Sequence, residues 1–369
     1  MARAGLGDGW KCLFANDFDR KKATTYTRNW GSGQMLCDDV RNLVADDLPG
    51  PADLAWASFP CQDLSLAGGG AGLKGERSGT FWPFWRLVRT LIDEGRPPPI
   101  IALENVCGAL TSHGGSDFNA LCAAMAEAGY RYGALIVDAA HFVPQSRPRL
   151  VLLAVRRDIS IGKGLSAPTP APPFHSKALR SAVAKLPNEL ADGWIWWSLD
   201  PPQPRNLGLA DVIEDHPPDV SWHAPDQTAK LLSMMSDLNL DKVRAARSQG
   251  RKVVGTIYKR TRRDAAGRKV QRAEARFDDI AGCLRTPVGG SSRQLVIVVN
   301  RTRVRSRLIS SRETARLMGL PDDYILPQNY NEAYHLTGDG VVVPVVRFLA
   351  DRLLEPILDD PALRPPHAA

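Results

Sequence analysis

The sequence of 369 residues contains only six cysteines, and no two of them form a C-x-x-C pair. Its seven histidines form no H-x-x-x-H cluster. Structural zinc sites and disulfide frameworks depend on such spacings, so neither is expected and no metal is predicted. The cysteines are interpreted as reduced thiols, most of them packed in the interior, with room for one reactive member.

Long apolar runs are also missing. The longest, such as "LVIVV" and "VVVPVV", are far too short to span a membrane, and no stretch resembles a signal peptide. We therefore expect a soluble, intracellular protein. With 44% hydrophobic residues, the chain can build one large domain or two moderate ones.

Acidic residues are scarce between Lys242 and Arg307. This stretch holds 19 Lys and Arg against four acids, a net charge of +15, while the whole chain carries +7 and the remainder therefore −8. Such asymmetry predicts a basic face for a polyanion on an acidic body. A solvated charged region is the alternative. A membrane-surface role is disfavoured, because the most basic stretch lacks a bulky apolar stripe.

Strand-like and helix-like segments alternate in the first part of the chain. This order predicts an α/β fold with a parallel, doubly wound sheet and ligands at the carboxyl ends of its strands. Cys61 and Glu104 fall at such ends and are expected to lie close together. A proline-rich connection at 166–175 ends the pattern, and 343–358 predicts an amphipathic helix. The strands are predicted at 12–17, 53–58, 100–105 and 150–155, and the helices at 19–30, 80–95 and 118–129.

Five short motifs follow one another along the chain: "FPCQDLS" (59–65), "LENV" (103–106), "QSRPR" (145–149), "SSRETARLMGLP" (310–321) and "GDGVVVPVV" (338–346). Together they resemble the DNA (cytosine-5) methyltransferase family, with its P-C-Q, E-N-V and Q-x-R-x-R motifs, variable region and return segment. The resemblance covers nearly the whole chain. It implies a doubly wound, Rossmann-like S-adenosylmethionine-dependent methyltransferase sheet with a smaller, irregular, mostly β target-recognition domain.

The resemblance also implies a domain order. Residues 1–165 would form the catalytic and cofactor domain and residues 166–325 the target-recognition domain. Residues 326–360 would return to complete the catalytic domain, and 361–369 would be a tail.

The family's chemistry needs a thiolate. The resemblance implies that Cys61 adds to carbon 6 of a cytosine flipped out of the duplex, so that carbon 5 can take a methyl group from S-adenosylmethionine. The Pro60 carbonyl would accept a hydrogen bond from the cytosine amine. Glu104 would act as a general acid towards ring nitrogen 3 and the amine. Arg149 would bind oxygen 2, and Arg147 would orient the site or reach the backbone.

Each of these residues has an ordinary alternative when it is taken alone. Cys61 could be a structural thiol, Glu104 a capping or salt-bridge group, and the arginines surface charges.

The cofactor contacts are implied by resemblance too. Asp17, at a strand end, would take the ribose hydroxyls of S-adenosylmethionine, and Phe18 would lie against its adenine. Asp339 stands where the family's G-N-x-V stretch has Asn. The full implied set is Asp17, Phe18, Asp39, Val40, Phe81, Asp339 and Val341.

Two segments are implied to touch DNA. The glycine-rich stretch 66–80 resembles the family's mobile catalytic loop, where Lys74 and Arg77 could contact phosphates; a surface loop without a role is the alternative. The stretch "RTPVGGSSRQ" (285–294) resembles the end of a target-recognition domain. Its implied contacts are Arg285, Ser291, Ser292, Arg293 and Gln294.

The family normally opens with a strand and an F-x-G-x-G-G loop that holds the methionine part of the cofactor. By the usual spacing from Asp17, this loop would lie before Met1, and "MARAGLGDGW" is interpreted as the helix that follows it. Either the start was placed at an internal methionine, or this shorter chain binds its cofactor weakly or not at all. We expect the chain as given to methylate poorly.

The overall expectation is a DNA cytosine-5 methyltransferase of a restriction–modification or phage setting. Double-stranded DNA would be its partner, alongside a cognate restriction endonuclease, with no membrane and no stable protein partner; a monomer is expected. Two alternatives stay open: a tRNA cytosine-5 methyltransferase, and a catalytically weak or silent DNA-binding relative. The long basic region and the absence of a C-F-T motif disfavour the tRNA enzyme.

Overall fold

The computed structural model of the chain describes residues 1–59, 80–264, 266–286 and 293–359. The chain divides into two compact units. The mixed-sheet unit comprises residues 2–138, 148–202 and 345 onward, and the antiparallel-sheet unit comprises Met1, 139–147 and 203–344. These boundaries differ from those predicted at 165 and 325. The assignment of catalytic and target-recognition roles to the segments remains a prediction.

The mixed-sheet unit holds the first six helices and eight strands. Its helices are α1 (Ala2–Leu6), α2 (Arg20–Trp30), α3 (Phe81–Asp93), α4 (Ser116–Glu127), α5 (Lys177–Val183) and α6 (Asn188–Ala191). Its strands are β1 (Ala15–Asn16), β2 (Met35–Leu36), β3 (Leu54–Ala57), β4 (Ile100–Val106), β5 (Tyr130–Asp138), β6 (Pro148–Arg156), β7 (Ser166–Ala167) and β8 (Trp196–Trp197).

The antiparallel-sheet unit follows in the chain. Its helices are α7 (Leu209–Val212), α8 (Pro225–Ser233), α9 (Asp237–Ser248), α10 (Ser311–Leu317) and α11 (Tyr330–Asp339). Its strands are β9 (Lys252–Arg263), β10 (Lys269–Arg276), β11 (Leu295–Asn300) and β12 (Arg303–Leu308). The helical C-terminal stretch consists of α12 (Val343–Leu349), a π-helical turn (Ala350–Leu354) and α13 (Glu355–Leu358), so the helix predicted at 343–358 is confirmed.

The main sheet of the mixed-sheet unit has the strand order β3-β4-β6-β5. Strands β3 and β4 are parallel, whereas β6 runs antiparallel to both β4 and β5. The predicted α/β class is confirmed, but the sheet is mixed and the expectation of an entirely parallel sheet was wrong. The reason lies in β5, which the sequence analysis missed. Only the short segment 139–147 joins it to β6, and a parallel neighbour needs a longer crossover.

The two interior strands explain why this sheet forms where it does. In β4 the first four residues are buried, and in β6 the six residues from Leu150 to Val155 are buried. Such continuous apolar runs are typical of strands that are covered on both faces. Each strand becomes polar only near one end, β4 at Glu104 and β6 at Arg149. The ends that carry these two polar residues are adjacent in the antiparallel register, in which Val106 faces Arg149.

Helices α3 and α4 cover this sheet through amphipathic faces. In α3 the side chains of Phe81, Trp85 and Val88 are buried at helical spacing, and α4 buries Phe118 and Met125 in the same hydrophobic cluster. Both helices lie where the apolar spacing predicted them. The glycine stop predicted after α4 is also confirmed, since the backbone at 129 has a φ of 81°, which favours glycine.

A separate two-stranded parallel sheet, β1 with β2, lies near the start of the chain. Helix α2 follows β1, and the side chain of Asp19 caps it by accepting the backbone N–H of Lys21. The strand predicted at 12–17 is therefore present but short. The interpretation of the first ten residues as a helix and a turn is confirmed, because α1 ends at Leu6 and Gly7 has a φ of 81°.

The sheet of the antiparallel-sheet unit has the order β10-β9-β11-β12. Strand β11 is buried from Leu295 to Val299 because it lies between two neighbours, and its side chains form a cluster with helices α8 and α9. Helix α10 begins at a capping box, in which Ser310 accepts the Glu313 N–H and Glu313 accepts the Ser310 N–H.

The described ranges contain neither a membrane-spanning helix nor a cluster of metal-ligating side chains. No helix among them is long and apolar enough to cross a membrane. No group of three or more His, Cys, Asp or Glu side chains there is arranged to hold a metal ion.

Candidate active site and DNA-binding surface

Glu104 and Arg149 form an ion pair at one end of the main sheet. Nε of Arg149 lies 3.1 Å from Oε1 of Glu104, and the two side chains are only 18% and 12% exposed, in that order. The strands dictate this pairing, because Arg149 faces Val106 across the antiparallel register and Glu104 is its diagonal neighbour on the same face. The structure thus brings together Glu104 of "LENV" and Arg149 of "QSRPR", two of the residues that the sequence predicted for the site.

Asn105 points to the opposite side of β4 from Glu104. Its buried side-chain amide donates a 3.2 Å hydrogen bond to the carbonyl of Phe59, and its carbonyl oxygen accepts the Val106 N–H. Phe59 comes two residues before Cys61. Asn105 therefore fixes the chain that leads into the P-C-Q motif against the strand that carries Glu104.

Six predicted site residues lie outside the described residues: Pro60, Cys61, Lys74, Arg77, Ser291 and Ser292. Most of the predicted loop 66–80 lies outside them as well. Their roles remain predictions from the motifs alone.

Cys107 is the thiol that follows the E-N-V motif. Burial raises the pKa of Cys107 above its ordinary value, and the positive charge of Arg149 only partly offsets this. Burial likewise raises the pKa of Cys122. A thiol that stays protonated is a poor nucleophile, so neither residue resembles a reactive cysteine.

The predicted cofactor residues Asp17 and Asp39 follow the two strands of the β1–β2 pair. Because these strands are parallel, their carboxyl ends meet at one edge. Asn16 joins the two ends, since its side-chain amide donates to the carbonyls of Leu36 and Asp38 at 3.0 and 2.8 Å. The structure therefore brings the "AND" and "CDD" segments together.

The side chains at this edge differ in their surroundings. Phe18 is 70% exposed, which is unusual for a phenylalanine and leaves its ring open to a ligand. Asp17 accepts the backbone N–H of Asp19 at 2.9 Å. Arg41 binds both oxygens of Asp39 and so holds the pKa of Asp39 below its ordinary value. Val40 beside it is half-buried.

Phe81 was predicted to touch the cofactor, but it is fully buried. Its ring packs at 5.6 Å from that of Phe59 and at 5.7 Å from that of Trp85. The helical spacing of apolar residues on α3 directs the side chain of Phe81 into the hydrophobic cluster. There it packs against Phe59 and exposes no surface to a ligand.

Asp339 and Val341, the return-segment residues, lie in the antiparallel-sheet unit. Asp339 is exposed at the end of α11 and accepts a short hydrogen bond from the Thr286 hydroxyl. Val341 is almost fully buried.

Arg147 is buried and binds four groups within the antiparallel-sheet unit. Its Nη1 donates to Sγ of Cys283 and to the carbonyl of Leu284 at 3.3 and 3.1 Å. Its Nη2 donates to the carbonyls of Gly338 and Gly340 at 2.9 and 2.8 Å. The guanidinium therefore joins the chain at 283–284 to the G-D-G turn. The predicted role of Arg147, to orient the site or reach the backbone, remains a prediction.

Gln145, the first residue of the same motif, was not singled out by the sequence analysis. It is fully buried, and its amide donates to the Leu317 carbonyl at 2.7 Å while its oxygen accepts the Leu284 N–H at 3.1 Å. The signal that could have indicated a role for Gln145 is its position two residues before Arg147 in the same motif. Gln145 and Arg147 together bind three separate segments of the unit.

Of the predicted DNA-reading segment 285–294, the described residues are 285–286 and 293–294. Gln294 is fully buried, where its side chain exchanges two hydrogen bonds with the backbone of Gly282 at 2.7 and 3.2 Å. We therefore assign Gln294 to the interior rather than to a DNA-contacting surface. Arg285 is exposed, whereas Arg293 is half-buried, donates to Asn331 and stacks 5.6 Å from the Tyr330 ring.

The strongest positive charge in the antiparallel-sheet unit lies on the β9–β10 hairpin. Residues 259–272 contain seven Lys and Arg against one acid. The hairpin's outer half is exposed, and only one acid of β10, Glu274, pairs with its arginines, at 3.2 Å from Arg260 and 2.5 Å from Arg262. This is the part of the basic stretch that most resembles a polyanion-binding surface.

Not all of the basic stretch faces outward. Arg307 is fully buried in a bidentate ion pair with Glu313, at 2.5 and 2.7 Å, and it also donates to the carbonyl of Glu214 at 2.6 Å. Its guanidinium lies 4.8 Å from the ring of Trp222. The "RETARL" glutamate therefore holds a structural charge pair. The excess of positive charge on the surface is smaller than the sequence count suggests.

Comparison with known proteins agrees with this geometry. A sequence profile described as C-5 cytosine-specific DNA methylase matches residues 2–355. The Type II methyltransferase M.Bsp6I of Bacillus sp. (strain RFL6) is 24% identical over 354 residues, 95% of this chain and 93% of the relative. M.HpaII of Haemophilus parainfluenzae is 23% identical, over 94% of this chain and 84% of its own.

Two solved structures share the fold. The methyltransferase EhMeth of Entamoeba histolytica superposes with a TM-score of 0.59 at 11% identity, over 95% of this chain and 90% of its own. The Dnmt2 methyltransferase of S. pombe superposes with a TM-score of 0.53 at 17% identity, over 94% of this chain and 91% of its own. These likenesses confirm the predicted methyltransferase fold.

Proposed function

The chain belongs to the C-5 cytosine-specific DNA methylase family, and on this premise we propose that it is a DNA cytosine-5 methyltransferase. It would take a cytosine out of duplex DNA and methylate carbon 5 of that base. The Glu104–Arg149 ion pair carries this proposal, since it unites two of the family's motifs in one nearly buried place beside the chain that leads to Cys61.

Cys61 would form the covalent bond of the reaction. Its Sγ, as thiolate, adds to carbon 6 of the cytosine, and the electron pair released in the ring lets carbon 5 attack a methyl group. Loss of the proton from carbon 5 then breaks the bond between Sγ and carbon 6. The Pro60 carbonyl would accept a hydrogen bond from the cytosine amine.

Glu104 and Arg149 would bind the two polar edges of the flipped base. Glu104 would bond ring nitrogen 3 and the amine, where charge develops as sulfur adds, and Arg149 would donate to oxygen 2. Each side chain now satisfies the other, so no charge is left unpaired before a base enters. Asn105 would hold the Phe59 end of the catalytic segment while this happens.

The edge formed by β1 and β2 would hold S-adenosylmethionine. When bound, this cofactor supplies a methyl group activated by a sulfonium. Asp17 offers a carboxylate at the carboxyl end of β1, where ribose hydroxyls are commonly bound, and the exposed ring of Phe18 offers a stacking surface. Asp39 belongs to the segment that would meet the adenine amine and ring face. These residue types fit a nucleoside. Val40 would add a contact from the same segment as Asp39. The resemblance alone implies Asp339 and Val341 as cofactor contacts from the return segment.

Duplex DNA would bind to the antiparallel-sheet unit. Arg285 and the exposed cations of the β9–β10 hairpin supply positive charge for phosphates. Lys74, Arg77, Ser291 and Ser292 would add contacts from segments whose motifs resemble the family's DNA-facing loops. Because its curated relatives are Type II methyltransferases, we place the enzyme in a restriction–modification system.

The test is trapping on DNA that contains 5-fluorocytosine. Fluorine replaces the hydrogen on carbon 5, so no proton can be removed there and sulfur stays bonded to carbon 6 after methyl transfer. With S-adenosylmethionine we expect a protein–DNA adduct that survives denaturation, that Cys61→Ser abolishes and that the control variant Cys107→Ser retains. DNA binding without an adduct would contradict the proposal and favour a silent relative. An adduct with tRNA alone would contradict it in favour of the tRNA enzyme.

A further inference from the structure

The β9–β10 hairpin extends beyond the body of its own unit. Strand β9 is buried from Val253 to Ile257, but its last four residues, 260–263, are all exposed. The facing residues of β10, 269–272, are exposed apart from half-buried Val270. Strand residues usually alternate between a buried and an open face, so exposure on both faces marks a free two-stranded ribbon.

The tip of this ribbon is held in one shape. Asp264 accepts the backbone N–H groups of Ala266 and Arg268 and Nε of Arg268, each at 2.9 Å. Gly267 has a φ of 77°, a conformation that favours glycine at such a turn. Arg263 donates to the Gly267 carbonyl at 2.8 Å. A shaped turn fixes the register of the two strands and therefore the positions of their side chains.

The exposed part of the ribbon carries cations in cross-strand pairs. Arg260 faces Arg272, and Arg263 faces Lys269. Like charges directly opposite one another destabilise a strand pair. Glu274, at 3.2 Å, already offsets part of the charge of Arg260, and a bound polyanion would reduce the repulsion that remains.

Between the cation pairs lies one uncharged pair, Thr261 facing Gln271. Both side chains are exposed, and neither has a hydrogen-bond partner within the part of the chain that the structure describes. By strand alternation they share a face with Arg263 and Lys269. The face therefore carries two cations next to a hydroxyl and an amide that have no hydrogen-bond partner among the described residues. A DNA-reading surface has this composition, since cations bind phosphates and uncharged polar groups bind base edges.

We infer that the β9–β10 ribbon enters the major groove and that Thr261 and Gln271 determine sequence specificity. A two-stranded ribbon fits the width of this groove, a glutamine can bond both the N6 and N7 groups of adenine, and a threonine can bond several base edges. Arg263 and Lys269 bind phosphates. The inference rests on the proposed methylation of duplex DNA. It assigns base reading to the ribbon in addition to the contacts predicted for the 285–294 segment, of which Gln294 is buried.

The experiment compares methylated sequences rather than total activity. Each protein methylates a pool of duplexes with randomised bases around a cytosine, and conversion sequencing gives the bases that favour methylation. The test variants are Thr261→Ala with Gln271→Ala, and Gln271→Glu alone. The control is Gln249→Ala with Thr302→Ala, the same residue types, also exposed, beside Lys252 and Asn300 at the other end of β9. Because the readout is a ratio between sequences, partial unfolding does not change it.

We expect the double alanine variant to lose discrimination at one or more base positions by roughly tenfold or more. Gln271→Glu should change the preferred base, towards a cytosine whose N4 group donates. The control should keep the wild-type preference. Arg263→Gln with Lys269→Gln should weaken binding to all sequences and reduce the salt slope of log Kd by about two.

Unchanged preferences in both test variants, with a wild-type enzyme that has a defined preference, would overturn the assignment and leave the methyltransferase function intact. A wild-type protein that methylates no cytosine in any duplex would instead overturn the proposed function, and the assignment with it.

Discussion

Nε of Arg149 lies 3.1 Å from Oε1 of Glu104, across adjacent antiparallel strands of the main sheet. Neither strand needs this pair for packing, since Leu150 to Val155 and Ile100 to Leu103 already bury the sheet. Nearly buried ion pairs give little net stability when compared with apolar residues. Their presence at a strand end is therefore better explained by a site than by the stability of the fold.

Replacing Glu104 by Gln should affect turnover much more than folding. The neutral amide keeps the shape but cannot meet developing charge at ring nitrogen 3, and loss of a general acid lowers kcat by about 10²- to 10⁴-fold. Single-turnover methylation of a duplex measures the effect. Glu127→Gln, an exposed change on α4, should leave the rate unchanged. A Glu104→Gln variant with wild-type turnover would remove Glu104 from the site.

Replacing Arg147 by Ala should destabilise the antiparallel-sheet unit. Three carbonyls and a sulfur lose their donor inside the protein. At about 1–3 kcal/mol for each buried group left unsatisfied, the free energy of unfolding should fall by about 3 kcal/mol or more. Urea unfolding measures this, with the exposed Arg157→Ala as control. Equal urea midpoints for the two variants would show that the hydrogen bonds of Arg147 do not stabilise the unit.

Replacing Glu313 by Gln should be similarly severe, because it leaves the fully buried charge of Arg307 without its carboxylate. Breaking one partner of a buried pair is destabilising by about 3–5 kcal/mol. The double variant Arg307→Met with Glu313→Met should recover part of this loss, as no charge then remains inside. Thermal unfolding of the single and double variants gives the comparison, and a double variant less stable than the single one would refute the explanation.

Stability should depend on pH through His175. Burial lowers the pKa of His175 below the ordinary value, and its Nδ1 accepts the Ala171 N–H. The unfolded chain then binds a proton more readily than the folded one, so stability falls as pH drops below about 6.5 and continues to fall to the lowered pKa. Urea unfolding at several pH values should show this slope in the wild type and a weaker one in His175→Gln. Equal slopes would contradict the assignment.

The sequence predicted those features that depend on local pattern. Apolar spacing placed α3 and α4, and the apolar run of "IIALEN" placed β4. Such features are determined by the sequence of a single segment of the chain. The motifs named Glu104 and Arg149 for one site, but the neighbour expected for Glu104 was Cys61, which lies outside the described residues, and the ion pair itself was not predicted.

The sequence could not predict what depends on partners distant in the chain. Strand β5 was missed, and with it the antiparallel return of β6, because the direction of a strand is decided by its connection and not by its composition. Phe81 was expected to contact the cofactor and Gln294 to contact DNA, and tertiary packing buries both side chains. The surface charge was overestimated because Glu313, outside the basic stretch, neutralises Arg307.

The most direct test of the account locates the covalent bond. After trapping on 5-fluorocytosine duplex with S-adenosylmethionine, the protein is digested and the peptide that carries the modified base is sequenced by mass spectrometry. We predict a single modified residue, Cys61. Modification of a different cysteine, or methylated DNA with no modified peptide at all, would contradict the central claim.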